Sequence, residues 1–205
     1  MKVLRVGTNA LLVELDSDGE VQALHAEITR RRAAGSLPPV GEVVPAARTV
    51  LLDGLDDPGD LARELPSWDV PEQPADAGDL IEVPTRYDGA DLADVAAHWE
   101  VPVDEVARIH ASVEFRVAFC GFAPGFGYLT GLDERYAMPR LATPRSAVPA
   151  GSVGLAGRYT GVYPRSSPGG WRLIGRTDLV LWDPEREPAA LFTPGTRVRF
   201  VPVDQ

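Results

Sequence analysis

Between Arg140 and Arg176, glycine and proline recur so often that the chain is confined to short strands and tight turns. The stretch sets Gly, Pro, Ser, Thr and Arg around two short apolar runs and holds no acidic residue. Glycine lets backbone approach a ligand closely, proline fixes loop shape, and arginine supplies rigid forked donors. Arg140, Arg145, Arg158, Arg165, Arg172 and Arg176 all fall within it, in a chain whose formal net charge is −10. This cationic island reads as a site for something anionic or carbonyl-rich. Surface ion pairs with neighbouring carboxylates are the alternative use of those arginines.

Short β-like runs alternating with turns extend beyond the island. Phe115–Cys120, Val148–Leu155, Thr160–Tyr163, Trp171–Ile174, Leu179–Trp182 and Arg197–Val201 are read as strands, which favours a closed or nearly closed barrel. Two helices precede them, one with Leu92, Val95, Ala96 and Trp99 on a face, the other with Val103, Val106, Ala107 and His110. Asp91 is placed to cap the first of these.

The N-terminal part reads differently. Val3–Val6 and Ala10–Leu15 flank Gly7-Thr8-Asn9 as a hairpin. Ser17 and Glu20 have capping-box spacing ahead of a helix with Val21, Leu24, His25 and Ile28 on one face, ended by Gly35. Val40–Val44 and Thr49–Leu52 are strand-like, Asp57-Pro58 opens a second helix, and Ile81–Val83 is read as closing this unit. The expected division is an α+β domain over 1–78 followed by a mainly β barrel domain over 79–205, with Ser67–Gly78 as linker.

Composition narrows the chemistry. An acidic chain lacks the cationic face that nucleic acid or an anionic membrane needs. Lys2 is the only lysine, which excludes a Walker lysine, a Schiff base or a biotinyl-lysine beyond the N-terminus. Cys120 is alone, and His25, His98 and His110 lack ligand spacing, so neither a disulfide nor a metal site is expected. No charged-then-apolar leader and no run of about 18 apolar residues occurs, so a cytoplasmic protein is expected.

Several residues could carry chemistry. His110 is either a general base near neutral pH or a hydrogen-bonded core histidine. In Phe119–Gly131, glycines would let the loop pass a ligand while Phe122, Phe126 and Tyr128 wall it, with Pro124 and Gly125 shaping the turn; a tight structural turn is the alternative. Arg145 and Arg176 are framed by Pro and Gly rather than by helical surface. Ser152 and Thr160 could bond a substrate amide or phosphate, and Gly151 could offer its amide. No G-x-S-x-G elbow is present, so a nucleophilic serine is not expected.

Gly121-Phe-Ala-Pro-Gly-Phe-Gly-Tyr-Leu, Pro144-Arg145, Val148-Pro-Ala-Gly-Ser-Val153, Tyr163-Pro164 and Ser167-Pro-Gly-Gly-Trp-Arg-Leu-Ile-Gly-Arg-Thr177 resemble the allophanate hydrolase subunit 1 family. It includes the B-subunit proteins of 5-oxoprolinase and the kinase inhibitor KipI. The resemblance implies a cyclophilin-like barrel after an α+β domain. It further implies work with an allophanate hydrolase subunit 2 homologue, the C-subunit protein of 5-oxoprolinase, and with an A-subunit protein of the LamB/YcsF type. Such an assembly opens 5-oxo-L-proline to L-glutamate with ATP, shared among subunits, and no tightly bound cofactor. For that chemistry the candidate catalytic residues are His110, to move a proton, with Arg145 and Arg176 as donors to the carbonyl oxygen. Phe122, Pro124, Gly125, Tyr128, Gly151, Ser152, Tyr163, Gly169, Gly170 and Trp171 would contact substrate. The family also admits two other activities, inhibition of a sensor histidine kinase and the carboxyltransferase half of a urea/allophanate-type biotin carboxylase. One segment departs from the family: its Gly-rich stretch before the first barrel helix reads Tyr87-Asp88-Gly89-Ala90-Asp91 here, shorter and more acidic.

Overall fold

The computed structural model describes residues 1–72 and 78–203. Its chain divides into two compact units, Met1–Ala77 and Gly78–Gln205.

In the first unit, β1 (Lys2–Val6) and β2 (Ala10–Glu14) form the hairpin, turning at Gly7 with φ +60. Helix α1 (Asp18–Ala33) starts where Ser17 accepts the Glu20 amide, and Glu20 reaches back to the Asp16 amide rather than to that of Ser17. That is a capping box displaced by one residue. Strands β3 (Glu42–Pro45) and β4 (Thr49–Asp53) complete a four-stranded antiparallel sheet of order β1-β2-β4-β3, followed by α2 (Pro58–Glu64) capped by Asp57. Leu11, Val13, Val50 and Leu52 project from one face of this sheet onto Val21, Leu24, Ile28, Leu61 and Leu65. The expected linker begins later than Ser67. Trp68 and Val70 pack on this core, and the Arg31 guanidinium lies 3.8 Å from the Trp68 ring. Its remainder over 73–77 lies outside the described residues.

The second unit opens with β5 (Leu80–Thr85), which contains Ile81–Val83. Those residues do not close the first sheet. They pair in parallel with the last strand of the chain, Ile81 opposite Val198 and Val83 opposite Phe200. Helices α3 (Leu92–Trp99) and α4 (Val103–Ala111) follow, then β6 (Glu114–Cys120), β7 (Gly127–Thr130), β8 (Arg145–Val148), β9 (Ser152–Ala156), β10 (Tyr159–Val162), β11 (Ser167–Gly169), β12 (Arg172–Arg176) and β13 (Arg197–Pro202). Seven of these strands form one mixed sheet in the order β12-β9-β10-β7-β6-β13-β5, while β8 and β11 form a separate antiparallel pair. The two edges of the large sheet meet in one bridge, Arg86 opposite Arg176, so the sheet nearly closes into a barrel. Phe115, Val117, Leu129, Val153, Leu155, Val162, Ile174 and Val198 fill its interior.

Three strand expectations change. Val148–Leu155 is two strands, because Pro149 lacks a donor and Gly151 sits at φ +79 between them. Leu179–Trp182 is irregular, with a single bridge from Trp182 to Ala190. Gly127–Thr130, read as loop, is a strand pairing with both β6 and β10.

Candidate functional site

The acidic departure Tyr87–Asp91 is the segment that closes the barrel. It runs antiparallel along β12. The Arg86 and Arg176 backbones exchange hydrogen bonds of 2.9 and 2.8 Å, the Gly89 amide donates to the Ile174 carbonyl, and the Asp91 amide donates to the Leu173 carbonyl. A Cβ at Gly89 would stand 2.3 Å from the Leu173 oxygen, so only glycine allows the two backbones this close. Three aspartates spaced three apart then meet three arginines of the cationic island. Asp88 pairs with Arg176 at 2.8 Å, Asp91 with Arg145 at 2.7 Å, and Asp94 with Arg172 at 2.8 Å. Arg86 returns the pattern by pairing with Asp178 at 3.1 Å.

Asp91 therefore does not cap α3 through its side chain. One carboxylate oxygen holds Arg145 and the other accepts the Leu173 amide at 2.7 Å, with the side chain only 6% exposed. Arg145 also donates to the Trp171 carbonyl at 3.4 Å. Half of the cationic island is thus bound into the barrel seam, and the anion site expected there is narrower than six arginines.

The predicted substrate-contacting aromatics gather on the outer face of the same sheet. Gly154 and Gly161 lie directly opposite each other on β9 and β10. With no side chains there, the Phe126 and Trp171 rings lie against the sheet. A Cβ at Gly161 would stand 2.9 Å from each ring, and one at Gly154 would stand 3.1 Å from the Trp171 Cβ. Around this floor Phe126, Tyr163 and Trp171 meet edge to face, and Tyr128 stacks on Phe119 at 4.4 Å. Such pairs add about 0.5–1.5 kcal/mol each beyond burial.

Phe126, Tyr163 and Trp171 are buried, whereas Phe122 is 59% exposed and edges onto Phe126 and Tyr163 at 5.3 and 6.2 Å. Its φ is +67, a left-handed conformation that costs a bulky residue roughly 1–3 kcal/mol and concentrates at ligand-contacting positions. Pro124 is exposed beside it, while Gly125, at φ +82, is pressed against the Trp182 Cβ. Burial raises the Tyr163 hydroxyl pKa, opposed in part by the Trp171 backbone and by the charges of Arg140 and Arg145. Gly169 is half-buried, and a Cβ there would collide with the Tyr163 hydroxyl. Gly170 accepts the Leu141 amide on its carbonyl.

His110 lies elsewhere. It is 0% exposed, among Phe115 and Phe200 with ring centroids at 4.8 and 4.5 Å. Its Nδ1 is 2.8 Å from the Tyr87 hydroxyl and its Nε2 is 3.1 Å from the Thr160 hydroxyl. Burial lowers its pKa to about 3, so it is neutral at physiological pH. Both nitrogens are engaged inside the barrel, which is the geometry of a core histidine and not of a base facing a cleft. Thr160, 0% exposed, is likewise turned inward and not toward an outer ligand. The amides expected to meet an oxyanion are also spent: Gly151 N–H donates to the Tyr163 carbonyl at 2.8 Å and Ser152 N–H to the Pro149 carbonyl at 3.3 Å. Gly151 accepts the Thr177 amide, and a Cβ on it would stand 2.1 Å from the Thr177 oxygen.

The structure thus brings Phe122, Tyr128, Tyr163, Trp171 and Arg145 to one face, places Arg176 on the seam, and sets His110 inside. Among the described residues no group of three or more His, Cys, Asp or Glu gathers where it could hold a metal ion. No helix among them is long and apolar enough to cross a membrane.

The family described as carboxyltransferase domain, subdomain C and D, matches residues 1–192. The chain belongs to this family. Over 205 aligned residues it is 40% identical to the 5-oxoprolinase B-subunit protein of Escherichia coli O157:H7, covering 96% of this chain and 94% of that one. The crystal structure of TTHA0988 superposes with a TM-score of 0.77 at 34% identity, covering 97% of this chain; this chain spans only 40% of that longer one. A conserved uncharacterized protein from Pyrococcus horikoshii, PH0987, superposes with a TM-score of 0.60 at 37% identity and near-complete coverage, 99% and 98%.

Within this carboxyltransferase-domain chain, sequence reasoning passed over Arg86, Asp94 and Asp178, and noted Asp88 only within the acidic departure before the first barrel helix. A signal was available: Asp88, Asp91 and Asp94 recur at a spacing of three, and the island they face contains arginine and no acid.

Proposed function

We propose that the chain is the B-subunit protein of a cytoplasmic, ATP-dependent 5-oxoprolinase that opens 5-oxo-L-proline to L-glutamate. It works with a C-subunit homologue and an A-subunit protein of the LamB/YcsF type, and its barrel is of the cyclophilin-like kind. The observation that carries this reading is the 40% identity to a 5-oxoprolinase B-subunit protein along nearly the full length of both chains.

The chemistry follows from what a lactam needs. Its carbonyl is a poor electrophile, so charge developing on the oxygen must meet preorganised donors. Arg145, immobilised by Asp91, is such a donor, while Arg176, held by Asp88 on the seam, is left to bind another group of the substrate. Phe122, Pro124 and Tyr128 form the apolar wall. With no lysine beyond Lys2, ATP phosphates are met by arginine or by the partner proteins. His110 acts as a positioning residue, holding Tyr87 and through it the seam. The site is one half of a composite.

Reconstitution tests this. The three proteins together, with ATP, are expected to convert 5-oxo-L-proline to glutamate, and omission of this chain is expected to abolish it. Wild-type components that assemble and leave 5-oxo-L-proline intact would overturn the reading. A carboxyltransferase role, favoured by the family's description, predicts instead dependence on a biotinylated protein.

A further inference from the structure

Beside the barrel seam lies a cavity of about 240 Å³ whose lining joins Pro84, Leu179 and Val203 to Thr177, Asp178 and the two arginines Arg86 and Arg176. The two arginines are directly opposite each other in an antiparallel bridge. Their Cβ atoms therefore leave the same face, about 5 Å apart in such pairs, and like charges placed so are destabilising. The fold offsets the repulsion with two diagonal carboxylates, Asp178 on Arg86 and Asp88 on Arg176. The two acids are unequal. Asp88 has 30% of its side chain exposed and pairs with Arg176 at 2.8 Å on the seam, whereas the Asp178 side chain is 81% exposed and pairs with Arg86 at 3.1 Å. An exposed ion pair of this kind contributes little, typically under about 1 kcal/mol, so Asp178 can swing into solvent at small cost. What it leaves behind is a pair of forked donors above an apolar wall.

We propose that this cavity binds a small carboxylate, which displaces Asp178 from Arg86 and bridges the Arg86 and Arg176 guanidiniums while its apolar part rests on Leu179 and Val203. Resting on the 5-oxoprolinase reading, the ligand is 5-oxo-L-proline, whose carboxylate sits next to a compact ring with aliphatic carbons. Asp178 then acts as a built-in competitor that occupies the arginine until substrate arrives. Asp88 stays in place, keeping Arg176 aimed and the seam closed.

The two acids give the proposal opposite-signed tests. Calorimetric titration of the full chain uses 5-oxo-L-proline, 2-pyrrolidinone (the same ring without the carboxylate) and acetate (the carboxylate without the ring). The first is expected to bind, with 2-pyrrolidinone weaker by about tenfold or more. Asp178→Asn is expected to tighten 5-oxo-L-proline by about threefold, and Arg86→Gln or Arg176→Gln to weaken it by about tenfold. Should either arginine variant melt early, the Asp178→Asn arm, which keeps the seam's backbone pairing and its Asp88–Arg176 pair, decides. Equal binding of lactam and 5-oxo-L-proline, or unchanged affinity in Asp178→Asn together with folded arginine variants, overturns the proposal. Acetate binding that depends on both arginines, with 5-oxo-L-proline excluded, supports the carboxylate cavity and defeats the substrate reading. Conversely, assembled complexes carrying Arg86→Gln or Arg176→Gln that turn over 5-oxo-L-proline with unchanged KM overturn the cavity while the substrate reading stands.

Discussion

The barrel seam and the aromatic face draw on the same Gly/Pro/Arg-rich stretch yet solve closure in opposite ways. At the seam, backbone meets backbone through a glycine on each strand, Gly89 and Gly175, and the charged side chains outside are neutralised one aspartate at a time. On the aromatic face, two opposed glycines remove side chains so that rings can lie on the sheet. The seam is therefore set by backbone distance and charge order, the face by shape. Their failures should differ accordingly: the seam should open as a unit, the face should loosen locally.

Gly89→Ala should produce the largest effect. The new Cβ would stand 2.3 Å from the Leu173 oxygen and 2.4 Å from the Ile174 carbonyl carbon, both backbone, so neither can rotate away. We expect a loss of about 4 kcal/mol in urea unfolding, at the upper end for single substitutions. A loss below about 1 kcal/mol would mean that the seam separates easily and that closure resides elsewhere. Next comes Asp91→Ala, which strands Arg145 and leaves the Leu173 amide unsatisfied. Breaking a largely buried pair costs about 3 kcal/mol once the partial exposure of Arg145 is allowed for. Asp94→Asn on the same seam, with an exposed carboxylate, should change stability by less than about 0.5 kcal/mol. Equal costs for the two would show that charge alone, and not burial, orders the seam.

The inner side of the seam gives a pH test. Tyr87 alternates inward between outward-facing Arg86 and Asp88, and its hydroxyl meets His110. The folded pKa of His110 is about 3, against 6.5 when unfolded, because burial disfavours the charged ring. The unfolded chain therefore takes up a proton on this residue below pH 6.5 while the folded chain does not. Stability present above about pH 6.5 is lost as pH falls toward 3, by about 2 kcal/mol at pH 5. His110→Gln should flatten that slope in thermal melts followed from pH 8 to about pH 5. A slope unchanged by the substitution would mean that His110 charges freely in the folded state.

Much of the architecture was legible, and the gaps share a cause. Local signals located α1 from Ser17 and Glu20, the first hairpin from Gly7-Thr8-Asn9, and the helices bearing Trp99 and His110. Pairings between distant residues were not legible. Ile81–Val83 has no local mark showing that its partner is Val198–Phe200, more than 100 residues on. Asp91 looked like a helix cap because its true partners, Arg145 and Leu173, lie 54 and 82 residues away. The strand Gly127–Thr130 was hidden by its glycine and by an aromatic that serves the outer face while Leu129 serves the interior. The island was visible as a cluster of arginines. Which of them were bound into the fold was not, since that depended on acids outside it.

On the aromatic side, Gly161→Ala tests whether shape is as stringent as backbone contact. The added methyl would meet the Phe126 and Trp171 rings at 2.9 Å and the Gly127 carbonyl oxygen at 3.1 Å, but the rings, which are the nearer contacts, can tilt where backbone cannot. A cost of about 1.5 kcal/mol is expected, with altered near-ultraviolet circular dichroism from the displaced tryptophan. A cost matching that of Gly89→Ala would erase the distinction between the two regions.

Phe122→Gly should have the smallest effect on stability and is the sharpest separator of structure from function. Glycine relieves the φ +67 conformation, a gain of about 1 kcal/mol. Against it stands the loss of two edge contacts from a ring that is 59% exposed, together with the extra backbone freedom of the unfolded chain. These terms nearly cancel, so the net change should stay within about 0.5 kcal/mol. A residue held in a strained conformation for no net stability is retained for what it touches, and turnover of 5-oxo-L-proline by the reconstituted complex should fall about tenfold or more in this variant. Should stability drop by about 2 kcal/mol with turnover per folded molecule unchanged, Phe122 would belong to the packing of the aromatic face and not to its working surface.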